Sequence, residues 1–335
     1  VCLTPCGMSI YLLDTTLVML VSTIICAYNY GRYVEEAIES VLSQGVTDHE
    51  VIVVDNASTD ETPQVLARIK DPRLRILRLE QNLGIGGGLC VGLKEARGRF
   101  LSFLDADDRW RPGKLKRELT IMDSEPDAGM VFGDLVRFND TGYYPATQFS
   151  FAPELREAAS VPTKCGTGRR LTADCFATLV ACLALPSWLQ TMLIRSECLR
   201  GATFPADRRT CPDLYFCLRI WPHIQAAYID EPTAELRRHG KNTTAIDVCR
   251  LERDVCETLR EFDSEPSLSR GQTEALRRRI GRCCLGLGKS FLMERQVMPA
   301  LKYYSSAIQY PTSRFKAILC LLAFPLLYVY WKYRG

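Results

Sequence analysis

Between Val21 and Val136 the chain alternates short apolar runs with stretches of helical spacing, and this narrows its fold more than any other feature. Val21–Ala27 (VSTIICA) is apolar and β-rich, and Val34, Ala37, Ile38, Val41 and Leu42 then recur at the period of one helix face. Val51–Val54 (VIVV) is apolar at every position, as in a strand covered on both sides of a parallel sheet. Ser58-Thr59-Asp60-Glu61 predicts a capping box, Pro63 suits an early helical position, and a helix to about Lys70 follows. A strand around Leu74–Leu79, a glycine-rich helix start near Gly84, a strand at Phe100–Leu104, a helix opened by Pro112 and a strand at Met130–Val136 continue the series. Right-handed crossovers then place helices on both faces of a mostly parallel sheet, an α/β architecture.

In such sheets ligands gather beyond the carboxyl ends of the strands. Three polar clusters fall there: Ala27-Tyr28-Asn29, Asp55-Asn56-Ala57-Ser58 and Asp105-Ala106-Asp107-Asp108. Carboxylates repel one another and resist desolvation, so the acids at 105–108 call for a cation, and hard oxygen ligands select Mg²⁺ or Mn²⁺. A nucleotide-sugar donor suits the whole mouth. Tyr28 could stack on its base, Asp55 or Asn56 could hydrogen-bond base or ribose, and the metal could sit against its diphosphate. Nucleic acid is not an expected partner, since 42 basic residues against 39 acidic ones leave a net charge of only +3. A dinucleotide fingerprint also fails, because Gly84 and Gly86 would need a third glycine where Leu89 stands.

The segments "VSTIICAYNYGRYVEEAIESVLSQ", "EVIVVDNASTDET", "NLGIGGGLCVGL" and "GRFLSFLDADDRWRPGKL" resemble the family 2 inverting glycosyltransferases with the GT-A fold. The resemblance is strong over about residues 20–120, weaker to about 245 and absent beyond. It implies an enzyme that moves a sugar from a nucleotide donor to an acceptor hydroxyl with inversion. On that basis Ala27, Tyr28, Asn29, Asp55, Asn56, Ser58, Asp105 and Ala106 would bind the donor. Asp105 and Asp107 would supply the D-x-D metal motif, with Asp108 close to the metal. Cys211–Arg219 looks like the family's "ED" helix start, which makes Asp213 the expected general base with Arg219 six residues on. Arg237-x-His239-x-x-Asn242 resembles a family segment near the donor phosphates, assigning Arg237 and His239 to the diphosphate. The processive signature Q-x-x-R-W is absent, which favours single transfer. Three positions depart from the pattern: Asn56 replaces the second acid of a pair, Leu89-Cys90 replaces an Arg-Asn pair, and Pro212 replaces a glutamate. These keep two other readings in play, a nucleotidyltransferase and a catalytically inactive nucleotide-sugar-binding module.

The expected layout is an extension at 1–18, a nucleotide-sugar-binding half at 19–125, an acceptor-binding half at 126–245 and a helical extension at 246–335. The 15 cysteines are scattered without C-x-x-C spacing, as befits reduced core thiols in a cytoplasmic protein. Ala317–Trp331 is uncharged, flanked by Arg314, Lys316, Lys332 and Arg334, and carries Tyr328, Tyr330 and Trp331 near its end. Two readings stand for it: residues 312–335 rest on a membrane surface, at the inner face of the plasma membrane, or the helix docks on the fold. The expected acceptor is a saccharide or lipid-linked saccharide of cell-envelope polysaccharide synthesis.

Overall fold

Eleven strands among the described residues join one mixed sheet: β1 (Val21–Ala27), β2 (His49–Asp55), β3 (Leu74–Arg78), β4 (Phe100–Asp105), β5 (Arg109–Trp110), β6 (Ala128–Asn139), β7 (Gly142–Thr147), β8 (Ser160–Pro162), β9 (Arg169–Leu171), β10 (Met192–Arg195) and β11 (Gln225–Arg237). The computed structural model describes residues 20–182, 187–206, 211–240, 242 and 248–334, and side chains only to 323 within the last helix. The expected 1–18 extension lies outside these residues. The sheet order is β3-β2-β1-β4-β10-β6-β11-β9-β8, with β5 paired to β11 and β7 to β6. The first four strands are parallel, β10 runs against both β4 and β6, and β6 and β11 are again parallel.

Helices α1 (Val34–Leu42), α2 (Thr62–Arg68), α3 (Gly84–Glu95), α4 (Lys114–Ser124), α5 (Pro153–Glu157), α6 (Cys175–Ala181), α7 (Pro212–Ile220), α8 (Val248–Glu261), α9 (Arg270–Met293), α10 (Val297–Ala307) and α11 (Pro311–Arg334) complete the chain. Successive β1 residues feed opposite faces of the sheet, as strand geometry requires. Ile25 joins Val34, Ile38 and Val41 of α1 and Leu115 and Ile121 of α4 in one core. Ile24 and Cys26 join Leu89, Phe103, Phe132, Phe176, Phe216 and Trp221 in the other. That second core runs on without a break into Cys256, Leu276, Cys284 and Tyr304 of the C-terminal helices. The C-terminal helices are therefore built onto the same body as the sheet.

The expected α/β sheet with flanking helices is found, and so are the C-terminal helices. One local reading changes. The capping box does not form: Glu61 takes the N-cap position of α2 without a side-chain cap, and Asp60 Oδ1 accepts from Thr62 N instead. Ser58 is drawn away to the neighbouring strand end, as described below. α11 also continues past Pro325. Its first turns dock, with Ser313 and Ala317 buried against α9 and α10, while Phe315, Leu319 and Leu322 face outward. Tyr328, Tyr330 and Trp331 have side chains outside the described set. Among the described residues no helix is long and apolar enough to cross a membrane.

Candidate active site

Register alone brings the expected acids together. Ala27 pairs with Asp55 across β1 and β2, and Cys26 pairs with Asp105 across β1 and β4, so all three polar clusters open at one edge.

The loop after β1 and the loop after β2 are then laced to each other. Asn29, at φ 60°, donates its N–H to Ser58 Oγ at 3.0 Å, and its Oδ1 accepts from Thr59 N at 2.8 Å. Tyr30 N donates to Thr62 Oγ1 and Gly31 N to Asp60 Oδ2. The approach is close enough that a Cβ on Gly31 would come within 2.8 Å of Thr62 N, so this position needs glycine. Asp55 is buried. Its Oδ1 accepts from Ser58 N at 2.9 Å, and its Oδ2 has no hydrogen-bond partner, with Arg78 Nε 3.7 Å away. Ser58 and Arg78 line a cleft of about 430 Å³ with Ala57, Thr59, Leu79 and Glu80. A buried acceptor without a donor is costly to leave so, and a ligand N–H would satisfy it. Tyr28 is exposed at the same mouth and Ala106 is buried beneath it.

The third cluster is strongly acidic. Asp105 is reached by solvent, but the protein packed around it and the charges of Asp107 and Asp213 push its carboxyl up to about 7. Burial first, and then the charges of Asp107, Asp105 and Asp108, raise the Tyr30 phenol. Asp107 Oδ2 faces His239 Nε2 at 2.9 Å and Asn242 Nδ2 at 3.2 Å. His239 in turn stacks on Tyr33, their ring centroids 5.1 Å apart. Asp213 stands in the first turn of α7, behind Pro212 at a position where a missing N–H costs nothing. Burial raises its carboxyl, and Ser187 Oγ donates to Asp213 Oδ2 at 3.4 Å.

Asp105 and Asp107 fit a hard divalent cation. Both are carboxylates, they repel one another, and magnesium commonly needs only one or two protein carboxylates beside phosphate oxygens. Among the described residues there is no ready-made group of three or more His, Cys, Asp or Glu ligands. Oxygens of a bound diphosphate would have to complete the shell.

Residues 22–179 match the family described as Glycosyl transferase family 2. This stretch is a family 2 glycosyltransferase domain. The chain is 42% identical over 104 residues to the succinoglycan biosynthesis protein ExoO of Rhizobium meliloti, covering 31% of this chain and 30% of that protein. It is 38% identical over 106 residues to the UDP-Glc:alpha-D-GlcNAc-diphosphoundecaprenol beta-1,3-glucosyltransferase WfaP of Escherichia coli, covering 32% and 42%. The chain thus spans less than half of each of these two relatives. In structure it is similar to S. aureus TarS 1–349 in complex with UDP-GlcNAc, at a TM-score of 0.66 and 20% identity, covering 92% of this chain and 86% of that one. The mannosyltransferase PcManGT from Pyrobaculum calidifontis, in complex with GDP-Man and Mn²⁺, superposes at a TM-score of 0.55 and 18% identity over 90% and 80%. At such identities the two structures establish a shared fold.

Several residues expected at the donor or the metal also make bonds within the protein. Asp108 accepts from Arg237 N at 2.8 Å and Gln190 Nε2 at 3.0 Å, one on each oxygen, so in this structure it anchors the acidic loop. Arg237 gives Nε to Asp107 O at 2.9 Å and Nη2 to Glu36, and its guanidinium lies over Tyr33 and Phe138. In this position it braces the acidic loop against α1. Arg219 pairs with Glu265 at 3.2 Å, on the outer side of α7. Ser58 Oγ accepts from Asn29 N, and Asn29 Oδ1 accepts from Thr59 N and Asp60 N. Asn56 Oδ1 accepts from Leu83 N at 2.9 Å while its Nδ2 donates to Gly84 O at 2.9 Å. An amide can do both, and a carboxylate cannot. Leu89, another departure, lies in the same core as Phe103.

Asn56→Asp should therefore lower stability by about 1–3 kcal/mol, since Gly84 O loses its donor and a second charge arrives beside Asp55. Urea unfolding would check this, and equal midpoints in the two proteins would refute it.

Sequence reasoning missed Glu36, Tyr33, Gln190 and Glu235. Glu36 meets both Arg109 and Arg237, and Glu235 meets Arg109 and Arg111. Tyr33 had a signal in the aromatic-rich AYNYGRY stretch. The acids had none, because their partners lie up to 201 positions away.

Proposed function

We propose that the chain transfers a sugar from a nucleoside-diphosphate donor to a hydroxyl of a saccharide or lipid-linked acceptor, with inversion and without processive elongation, in the assembly of a cell-envelope polysaccharide. One observation carries the reading: Asp55, Asp105, Asp107 and Asp213, contributed by β2, the end of β4 with the loop after it, and α7, lie at a single mouth of the sheet. The names of ExoO and WfaP, and the nucleotide sugars bound to TarS and PcManGT, support the class of donor and acceptor.

In this mechanism Asp55 receives an N–H of the base or a ribose hydroxyl on its unused Oδ2. Asp105 and Asp107 would hold Mg²⁺ or Mn²⁺, whose chemistry is to stabilise charge on the departing diphosphate. Asp213 takes the acceptor hydroxyl proton as that oxygen attacks the anomeric carbon from the face opposite the leaving oxygen, which inverts the centre. Burial raises its proton affinity, which strengthens it as a base. The 19–125 half holds the donor and the 126–245 half the acceptor. A thermal-shift series with UDP-, GDP- and dTDP-sugars and Mn²⁺, followed by product detection, tests this. A nucleotide sugar that neither stabilises the protein nor turns over under any of these conditions would defeat it.

We also place residues 312–335 on an anionic lipid surface. Phe315, Leu319 and Leu322 form an exposed apolar stripe on the docked part of α11, beside exposed Arg314 and Lys316. Replacing Phe315, Leu319 and Leu322 together by serine should release the protein from phosphatidylglycerol vesicles in a flotation assay. The melting temperature should barely change, because the buried Ser313 and Ala317 contacts remain. Equal flotation of both proteins would count against the surface.

A further inference from the structure

Transfer chemistry uses none of the residues between α8 and α9, yet three thiols meet there. Cys256 Sγ lies 3.8 Å from Cys284 Sγ, and both residues are fully buried. Cys283, next in line on α9, is only half-buried. Arg260 donates from Nη2 to Cys284 Sγ at 3.1 Å, while its Nε is buried with no hydrogen-bond partner. Guanidinium groups of Arg279 and Arg282 act on Cys283 from its own helix. A cluster of nucleophiles set among fixed cations is the environment that favours thiolates. Consistent with this, a hydrogen bond from Cys256 first, and then those two arginines, outweigh desolvation and bring the Cys283 thiol down to about 7, and the Cys256 thiol is raised.

We propose that Cys256, Cys283 and Cys284 are a thiol–disulfide exchange site that closes a covalent bridge between α8 and α9 by reducing a small disulfide such as glutathione disulfide. The half-buried Cys283 thiolate attacks one sulfur of the small disulfide. A new S–S bond forms, and the other half leaves as a thiolate that takes a proton from water. Cys256 attacks Cys283 Sγ and expels the second small thiol, which takes up the Cys256 proton as it leaves. Two protein thiols are oxidised and one small disulfide becomes two thiols. Cys284, already 3.8 Å from Cys256, can exchange into the bridge, and closing to a bond length of about 2 Å needs only a small side-chain shift. The bridge would stiffen the mounting of the site. α8 begins shortly after His239 and Asn242, and α9 reaches the acceptor half through Gln272 Nε2, which donates to Asp174 and to Pro222 O.

The experiment equilibrates the full chain in reduced and oxidised glutathione, traps free thiols by alkylation and maps tryptic peptides. Cleavage after Arg253, Arg260, Arg282 and Lys289 puts Cys256 on peptide 254–260 and the other two thiols on peptide 283–289. The expected result is that these two peptides are the first to appear joined, with a melting temperature several degrees higher than that of the reduced protein. Cys283→Ser should slow bridge formation at least about tenfold, because the accessible thiolate is gone. If the half-buried Cys90, Cys165 or Cys249 oxidises first while 254–260 and 283–289 stay alkylated, the proposal is wrong. A glutathione adduct that persists on Cys283 with Cys256 still alkylated overturns it equally, as does an unchanged rate in Cys283→Ser. Wild-type mapping decides the main point without any variant.

Discussion

Asp213→Asn is expected to lower single-turnover sugar transfer by roughly 10²–10⁴ while leaving donor and metal affinity unchanged, because a general base acts on the acceptor proton and not on the donor. Asparagine keeps the shape and can still accept from Ser187, so the first turn of α7 should survive. The pH profile provides a second readout. Burial raises the Asp213 carboxyl, so in the wild type the rate should fall as pH drops through that raised value and the base takes up a proton. In the variant this acid limb should disappear. Wild-type turnover by Asp213→Asn would move the base to another carboxylate.

Asp107→Asn should remove metal-dependent nucleoside-diphosphate binding, with a loss on the order of 100-fold in Mn²⁺-dependent affinity, since outer-shell changes alone often cost 10- to 100-fold. The amide oxygen can still accept from Asn242 and face His239, so the loop over the acids keeps its seat. Asp107→Ala would lose charge and seat together and serves as the harsher comparison. Stability should move the opposite way. In the metal-free protein the charge of Asp107 contributes to raising both Asp105 and Asp108, so neutralising it removes repulsion and the melting temperature should rise at neutral pH. Calorimetric titration of UDP with and without Mn²⁺ measures the first effect. Undiminished metal-dependent binding in Asp107→Asn would remove this residue from the metal.

Much of the donor side could be read from the chain because its signals are local. A short apolar strand ends in an acid, a helix follows, and the parallel register does the rest, placing Asp55 and Asp105 on either side of β1. What escaped was set by contacts between distant positions. β10 is only four residues long, and nothing in Met192–Arg195 announces that it enters the sheet backwards between β4 and β6. Asp108 and Asp107 look alike in sequence, and only Gln190 and the Arg237 amide tell the anchor from the candidate ligand. Asn56 looked like a weakened donor contact, although its two hydrogen bonds to the start of α3 require an amide. Arg237 carried the residue type of a phosphate binder, but Glu36 and two aromatic rings had already claimed it.

β5 holds two residues, and it pairs with β11, where Arg109 faces Glu235 and Trp110 faces Ala234. During synthesis the acidic loop therefore emerges long before anything exists to seat it. A nascent chain halted after α4 would carry every residue of the D-x-D motif, yet Asp107 and Asp108 would still lack Gln190, Arg237, His239 and Asn242. On the proposed assignment, donor capture on the ribosome would wait until β11 and the residues to Asn242 have cleared the exit tunnel. Chimaeras that graft the first half of this chain onto a relative's second half will inherit or lose their metal acids according to whose β11 they keep.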